Sequence, residues 1–199
     1  GDSFRYRAEY QAEQLRHLGL AVDVALFDEV EYERVLTQYQ VFLFHRVPIT
    51  PGIEAFLGTA RSLGRLVLFD TDDLVFNEEL SADIKALETM APRDRELYLD
   101  GIRRYRKTLA LAMGAIATTE TLAREIRELL PETPVEVNRN AMGDVMVQQA
   151  EAAMRELPKP DDGLVRIAYF SGTPTHNHDF AVCEKLTLER AVEAECMLK

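Results

Sequence analysis

Residues 66–76 read Leu-Val-Leu-Phe-Asp-Thr-Asp-Asp-Leu-Val-Phe, and this stretch decides the fold. Leu66 to Phe69 form a short unbroken apolar run, and Asp70, Asp72 and Asp73 follow at once. A run of that length fits a strand covered on both faces, as in a parallel sheet. Its C-terminal end delivers three carboxylates to the edge where open α/β sheets bind ligands.

Working backwards from this strand, helix and strand patterns alternate. Thr50 followed by Pro51 marks a helix start, and Gly64 closes that helix after Leu63. Val41 to Phe44 reads as a buried strand that ends in His45-Arg46-Val47-Pro48. Glu29 to Gln38 reads as a helix, Ala21 to Phe27 as a partly alternating strand, and Arg5 to Leu18 as a helix stopped by Gly19. The order αβαβαβ is that of a doubly wound parallel sheet. It lacks the strand with which such a domain begins, so a truncated first strand is expected.

Downstream, Ser81 to Thr89 and Arg93 to Ala112 are expected to be helical. Gly114 to Thr118 is a short strand, and Thr119 caps a helix that Pro131 ends. Val135 to Val137 is a strand and Asp144 to Glu156 a helix. The run Pro158-Lys159-Pro160-Asp161-Asp162-Gly163 is a linker. Val165 to Phe170 then begins a new strand, and the tail from Ala181 is helical. The expected domains are 1–160 and 161–199.

With 199 residues and 47% hydrophobic content, the chain can build one sizeable soluble core. A formal net charge of -11 disfavours nucleic acid as a partner, because phosphates demand Lys and Arg. Cys183 and Cys196 give neither a zinc pattern nor a disulfide framework, which suits a reducing compartment. No run approaches the length of a membrane span and no signal-peptide pattern is seen, so a cytoplasmic location is expected. Arg103, Arg104, Arg106 and Lys107 form a basic helix face. Such a face is ordinarily solvated; the alternative is peripheral contact with acidic lipid headgroups at the inner membrane surface. Oligomeric state is left open.

Several residues carry candidate chemistry. His45 and Arg46 end a buried strand, where His serves as base or hydrogen-bond donor and the Arg fork binds phosphate. Carboxylates at Asp70, Asp72 and Asp73 accept hydrogen bonds from sugar hydroxyls or act as a base, or cap the following turn. Arg5 and Arg7 open the first helix and serve either phosphate or solvent. At Ser171-Gly172-Thr173 the glycine lets the backbone approach a ligand, and free N–H groups there can hold phosphate. His176 and His178 alone do not complete a metal site, and no metal is expected.

Taken in order, these segments resemble GT-B glycosyltransferases of the group 1, family 4-like type, up to about Glu184. FRYRAEYQAEQLRHLGLAVDV (4–24) is similar to that family's first helix and second strand. VFLFHRVP (41–48) and RLVLFDTDDLVF (65–76) look like its next strands. LAMGAIATTETLAREI (111–126) resembles the strand and helix before the domain junction. In VEVNRNAM (135–142), Asn140 matches the Asn of the family's Pro-Asn-Gly, although the motif is altered. IAYFSGTPTHNHDF (167–180) looks like the first strand and loop of the donor domain. The resemblance implies a Rossmann-like acceptor-side domain followed by the truncated start of a second Rossmann-like domain. It implies a metal-independent hexosyltransferase-type enzyme of polysaccharide biosynthesis, with no cofactor and a nucleotide-sugar donor as substrate. The acceptor would be a glycan or lipid-linked molecule. In that reading His45, Asp72 and Asp73 serve the reacting centre, Ser171, Gly172 and Thr173 the donor diphosphate, and Arg5, Arg46 and Asn140 the cleft. The chain as it stands would be inactive.

Two other readings compete. LVLFDTDD also resembles the first motif of haloacid-dehalogenase-like phosphatases, with Asp70 as nucleophile and Asp72 as acid/base. The third reading is a non-catalytic Rossmann-like module that binds a partner or acceptor.

Overall fold

The computed structural model describes residues 2–79 and 85–157. The chain divides into two compact units, Gly1–Glu156 and Leu157–Lys199. All elements named below belong to the first. The expected strand at 165–170, the Ser171-Gly172-Thr173 loop, His176, His178, both cysteines and the tail helix lie outside the described residues.

The N-terminal helix is built from α1 (Asp2–Phe4), a π-helical turn (Arg5–Glu9) and α2 (Tyr10–His17). After it come α3 (Tyr32–Gln38), β1 (Val41–His45), α4 (Pro51–Ser62) and β2 (Leu66–Thr71). The remainder is α5 (Lys85–Glu88), α6 (Pro92–Leu111), β3 (Gly114–Ala117), α7 (Glu120–Leu129), β4 (Val135–Val137) and α8 (Asp144–Glu156). The four strands form one sheet in the order β1-β2-β3-β4, and every neighbouring pair is parallel. The molecule is thus α/β with a parallel sheet.

Local signals in the sequence explain most boundaries. The Thr50 hydroxyl accepts from the Ile53 N–H at 3.1 Å, and Pro51 occupies the first turn of α4, where its missing N–H costs nothing. Gly64, with φ of 66°, ends that helix in the left-handed region. The Thr119 hydroxyl accepts from the Leu122 N–H at 3.2 Å and starts α7 in the same way.

Side-chain alternation sorts the sheet into two unlike faces. Phe42, Phe44, Val67, Phe69, Thr71, Ala115, Ala117, Val135 and Val137 share one face through the observed register. Against it pack Ile53, Phe56, Leu57 and Ala60 of α4, Leu109 of α6, and Ala123 and Ile126 of α7, all buried. The α4 positions recur at i, i+3, i+4 and i+7, which is one helical stripe. Both core clusters therefore lie on one side of the sheet. The other face carries Val41, Leu43 and His45 of β1, Leu66, Leu68 and Asp70 of β2, and Ile116 and Glu136. Val41 is 51% exposed and Leu43 43%.

That asymmetry bears on the expectation of a doubly wound sheet. Right-handed crossovers that keep stepping in one direction put all their helices on one face. The order β1-β2-β3-β4 never reverses, so the described strands contain no switch point and amount to one half of such a sheet.

The expected strand at 21–27 does not form; residues 20–26 pair with no strand. Side chains hold this run instead. Arg16 donates to the Val22 carbonyl at 2.9 and 2.6 Å, and the Tyr39 hydroxyl donates to Asp23. Alternation supplies a strand's side-chain pattern, but a strand also needs a neighbouring ladder. The helix expected from Glu29 begins at Tyr32, and of the helix expected over 81–89 only α5 is described.

Candidate functional site

The C-terminal ends of β1 and β2 carry the site. Register places His45 directly beside Asp70, on the face that α4, α6 and α7 leave open. Their side chains meet, His45 Nδ1 to Asp70 Oδ2 at 2.9 Å. The N-terminal helix closes over this end of the face. Arg7 Nε donates to Asp70 Oδ2 at 3.1 Å and Arg7 Nη2 donates to Asp70 Oδ1, a two-pronged ion pair. Arg7 is 3% exposed and Asp70 4%, so both charges are out of water and survive there only as a pair.

Arg7 also reaches the loop after β4. Its Nη1 donates to the Asn138 carbonyl at 2.8 Å and to Asn140 Oδ1 at 3.3 Å. The Asn138 amide donates to Gln11 Oε1 at 2.6 Å. Gln11 is buried, and its Nε2 has no partner among the described residues. One guanidinium thus fastens the N-terminal helix to the ends of β2 and β4. The π-helical turn, which widens the helix by one residue, contains Arg7 itself.

Farther along, α2 meets the start of α8. Glu13 Oε1 accepts from the Asp144 N–H at 2.7 Å, and His17 Nε2 lies 3.0 Å from Asp144 Oδ2. Gly143 makes this approach possible, because a Cβ there would sit 2.5 Å from the Tyr10 ring.

A second cation stands next to His45. Arg46 is the one described non-glycine residue with positive φ, at 48°. In the left-handed region an L side chain is crowded against its own carbonyl, so this conformation is strained. The turn aims the guanidinium at the aspartates beyond β2. Arg46 Nη2 donates to Asp72 Oδ1 and lies 3.4 Å from Asp73 Oδ2. Its Nε is buried with no partner among the described residues.

Asp73 divides its roles. Its Oδ1 accepts from the Leu74 N–H at 2.9 Å, and Thr71 Oγ1 donates to its carbonyl at 2.7 Å, so the residue shapes the turn. Its carboxylate remains 66% exposed. Tyr98 on α6 joins this group. Burial raises its phenol above the ordinary tyrosine range, the Asp73 charge adds to the rise, and Arg46 opposes it.

The structure therefore brings together His45, Arg46, Asp70, Asp72, Asp73 and Asn140. It does not bring Arg5 with them: Arg5 is exposed, and the cation at the strand ends is Arg7. Positions two apart on a helix point in different directions, so only one of the two can face the sheet. Tyr98 carried no local signal, since it lies between Leu97 and Leu99 in a long helix of mixed charged and apolar residues. Ser171, Gly172 and Thr173 lie outside the described residues.

An open cleft of about 340 Å³ borders the site and is lined by Tyr6, Asn140, Ala141 and Met142. A larger depression of about 430 Å³, lined by residues such as Leu87, Met90, Arg95 and Leu99, shares no residue with the site. The basic face of α6 is partly committed within the fold. Arg103 pairs with Glu78 at 2.6 Å and Glu96 at 2.8 Å, and Arg104 Nε donates to the Ile49 carbonyl at 3.0 Å. Among the described residues no helix is long and apolar enough to cross a membrane.

The chemistry on offer is that of an oriented imidazole. An ionised Asp70 only accepts, so the Nδ1 facing it carries the proton. Nε2 then bears the lone pair, and no described residue partners it. Fold and site together define a parallel α/β domain with a histidine, a cation and two further carboxylates at its strand ends. No protein-family model, curated protein or solved structure matches the chain.

Proposed function

We propose that this chain is the acceptor-side part of a Rossmann-like, GT-B glycosyltransferase. It moves a sugar from a nucleotide-sugar donor to a hydroxyl of a glycan or lipid-linked acceptor, in polysaccharide biosynthesis. The observation that carries the reading is His45, held by Asp70 at 2.9 Å with Nε2 facing no partner among the described residues, at the ligand edge of a parallel sheet.

In this reaction the acceptor oxygen attacks the anomeric carbon. The bond from that carbon to the diphosphate oxygen breaks, and the nucleoside diphosphate leaves with the electron pair. His45 Nε2 accepts the proton of the acceptor hydroxyl, and Asp70 supports the charge that develops on the ring. Asp72 and Asp73 accept hydrogen bonds from neighbouring sugar hydroxyls, while Arg46 keeps Asp72 in place. Asn140 lines the adjoining cleft with Tyr6, Ala141 and Met142. The donor diphosphate falls to Ser171, Gly172 and Thr173.

The phosphatase reading requires Asp70 free to attack phosphorus. Arg7 and His45 occupy both of its oxygens, and the glycosyltransferase reading makes no such demand.

The test is a transfer assay on the protein that carries this chain, with a panel of labelled nucleotide-sugars and lipid or glycan acceptors, alongside calorimetric titration with nucleoside diphosphates. Transfer that falls at least about a hundredfold in His45→Ala, with folding unchanged, is the expected outcome. No transfer and no nucleotide binding across the panel would overturn the reading and leave the binding-module alternative.

A further inference from the structure

Among the described residues, one group of three metal-ligating side chains converges: Glu13, His17 and Asp144. One ligand atom from each lies within 4.8 Å of the other two. Glu13 and His17 stand one turn apart on the same side of α2, and Asp144 is the first residue of α8. None of the three belongs to the site at the strand ends.

Their spacing suits a small cation. His17 Nε2 and Asp144 Oδ2 are 3.0 Å apart. Two ligands on a tetrahedral zinc, with bonds of about 2.0–2.1 Å, stand about 3.3 Å from each other. The pair thus has nearly the separation that a shared zinc requires. Glu13 is oriented by a bond of its own: Oε1 accepts from the Asp144 N–H at 2.7 Å. A hydrogen bond that fixes a ligating carboxylate in this way supports a metal site from outside. Gly143 lets α8 begin this close to α2, because a Cβ there would lie 3.0 Å from Glu13 Oε2. The side chains of His17 and Asp144 are 63% and 61% exposed. Small rotations about their own bonds close the remaining distance, and water reaches a fourth ligand position.

The donor set selects the ion. Calcium takes roughly six to eight oxygen ligands, and magnesium demands a near-ideal octahedron of oxygens. Three protein ligands, one of them an imidazole nitrogen, match zinc with an open position instead. The two carboxylates balance its charge.

We propose that Glu13 Oε2, His17 Nε2 and Asp144 Oδ2 bind one zinc ion, with water as the fourth ligand. The ion takes the place of the His17–Asp144 hydrogen bond and fastens α2 to α8. Because α2 continues the helix that brings Arg7 to Asp70, zinc also secures that helix across the strand ends. It takes no part in sugar transfer, so the assignment holds whether or not the chain belongs to a glycosyltransferase.

The test is calorimetric titration of zinc chloride into the chain made without an affinity tag, with thermal unfolding alongside. One zinc per chain at micromolar affinity is expected, and an unfolding midpoint that rises with zinc. His17→Gln and Asp144→Asn alter exposed groups and keep the fold. Each should weaken binding by at least about tenfold and shrink the rise in midpoint. A variant carrying His176→Ala, His178→Ala, Cys183→Ser and Cys196→Ser should bind zinc as the parent does. Millimolar calcium or magnesium should not displace the ion. No zinc binding, binding that His17→Gln leaves intact, binding lost in the fourfold variant, or displacement by calcium or magnesium would each overturn the proposal.

Discussion

His45 and Asp70 are register partners in the β1–β2 ladder, and their side chains meet at 2.9 Å on the sheet's open face. Asp70 in turn is buried by Arg7, from a helix that precedes both strands in the chain. The orientation of the imidazole thus depends on a residue far away in sequence. Removing Arg7 leaves Asp70 buried without its cation. Arg7→Met is expected to lower stability by about 3–5 kcal/mol, because an orphaned buried charge costs more than the pair contributes. Arg5→Ala should change it by no more than about 0.5 kcal/mol. Urea unfolding of the two variants checks this, and equal midpoints would refute it.

Arg46 separates backbone strain from side-chain chemistry. Arg46→Ala loses the contact with Asp72 and keeps the strained φ of 48°; Arg46→Gly loses the same contact and relieves the strain. The glycine variant should be the more stable of the two by about 1 kcal/mol. Thermal unfolding in parallel gives the comparison, and an alanine variant as stable as the glycine one would mean that the turn is unstrained.

Tyr98 reports on the charges beside it. Its phenol is raised by burial and by Asp73, so in the folded state it ionises later than an unfolded tyrosine. A group raised on folding contributes stability below its unfolded value near 10, and loses that contribution as pH climbs through the folded value. Spectrophotometric titration of tyrosinate should show a late component that Tyr98→Phe removes. Asp73→Asn should move that component to lower pH. A titration unchanged by Tyr98→Phe would sink the assignment.

Two glycines make opposite predictions. A Cβ at Gly58, within α4, meets nothing within 4 Å. Gly58→Ala should stabilise the protein by about 0.5–1 kcal/mol through helix propensity and a less disordered unfolded chain. At Gly114 in β3 a Cβ would lie 3.0 Å from the Leu68 side chain and 3.2 Å from the Pro134 carbonyl oxygen. Gly114→Ala should cost about 1–3 kcal/mol as overpacking. Denaturant midpoints that move in the same direction for both would contradict this account.

Glu78 and Arg103 give a pH test at the surface. The hydrogen bond from Arg103 holds the Glu78 carboxyl below its ordinary value. A carboxyl lowered on folding contributes above its unfolded value, and the contribution disappears as pH falls through the folded one. Glu78→Gln should therefore flatten the acid limb of the stability profile slightly, and the difference should shrink in high salt. An acid limb identical to that of the parent would rule out the contribution.

By itself, the sequence determined what short-range physics controls. Thr50, Pro51 and Gly64 bound α4, and Thr119 starts α7, because caps and left-handed turns act within a few residues. The apolar run at Leu66 to Phe69 set a strand with carboxylates at its end, where parallel sheets bind ligands, but the structure covers only one of its faces and leaves Leu66 exposed. Tertiary structure alone decided the rest. Alternation says that a strand has two faces, but only packing revealed that α4, α6 and α7 all cover the same one. The pattern at Leu20 to Leu26 promised a strand, and no ladder was there to complete it. Arg5 and Arg7 look alike in the sequence; which of them reaches Asp70 depends on the rotation of a helix laid across strand ends more than sixty positions away. The strain at Arg46 and the charges that Asp73 and Arg46 set beside Tyr98 likewise arise from contacts between distant segments, which no local pattern encodes.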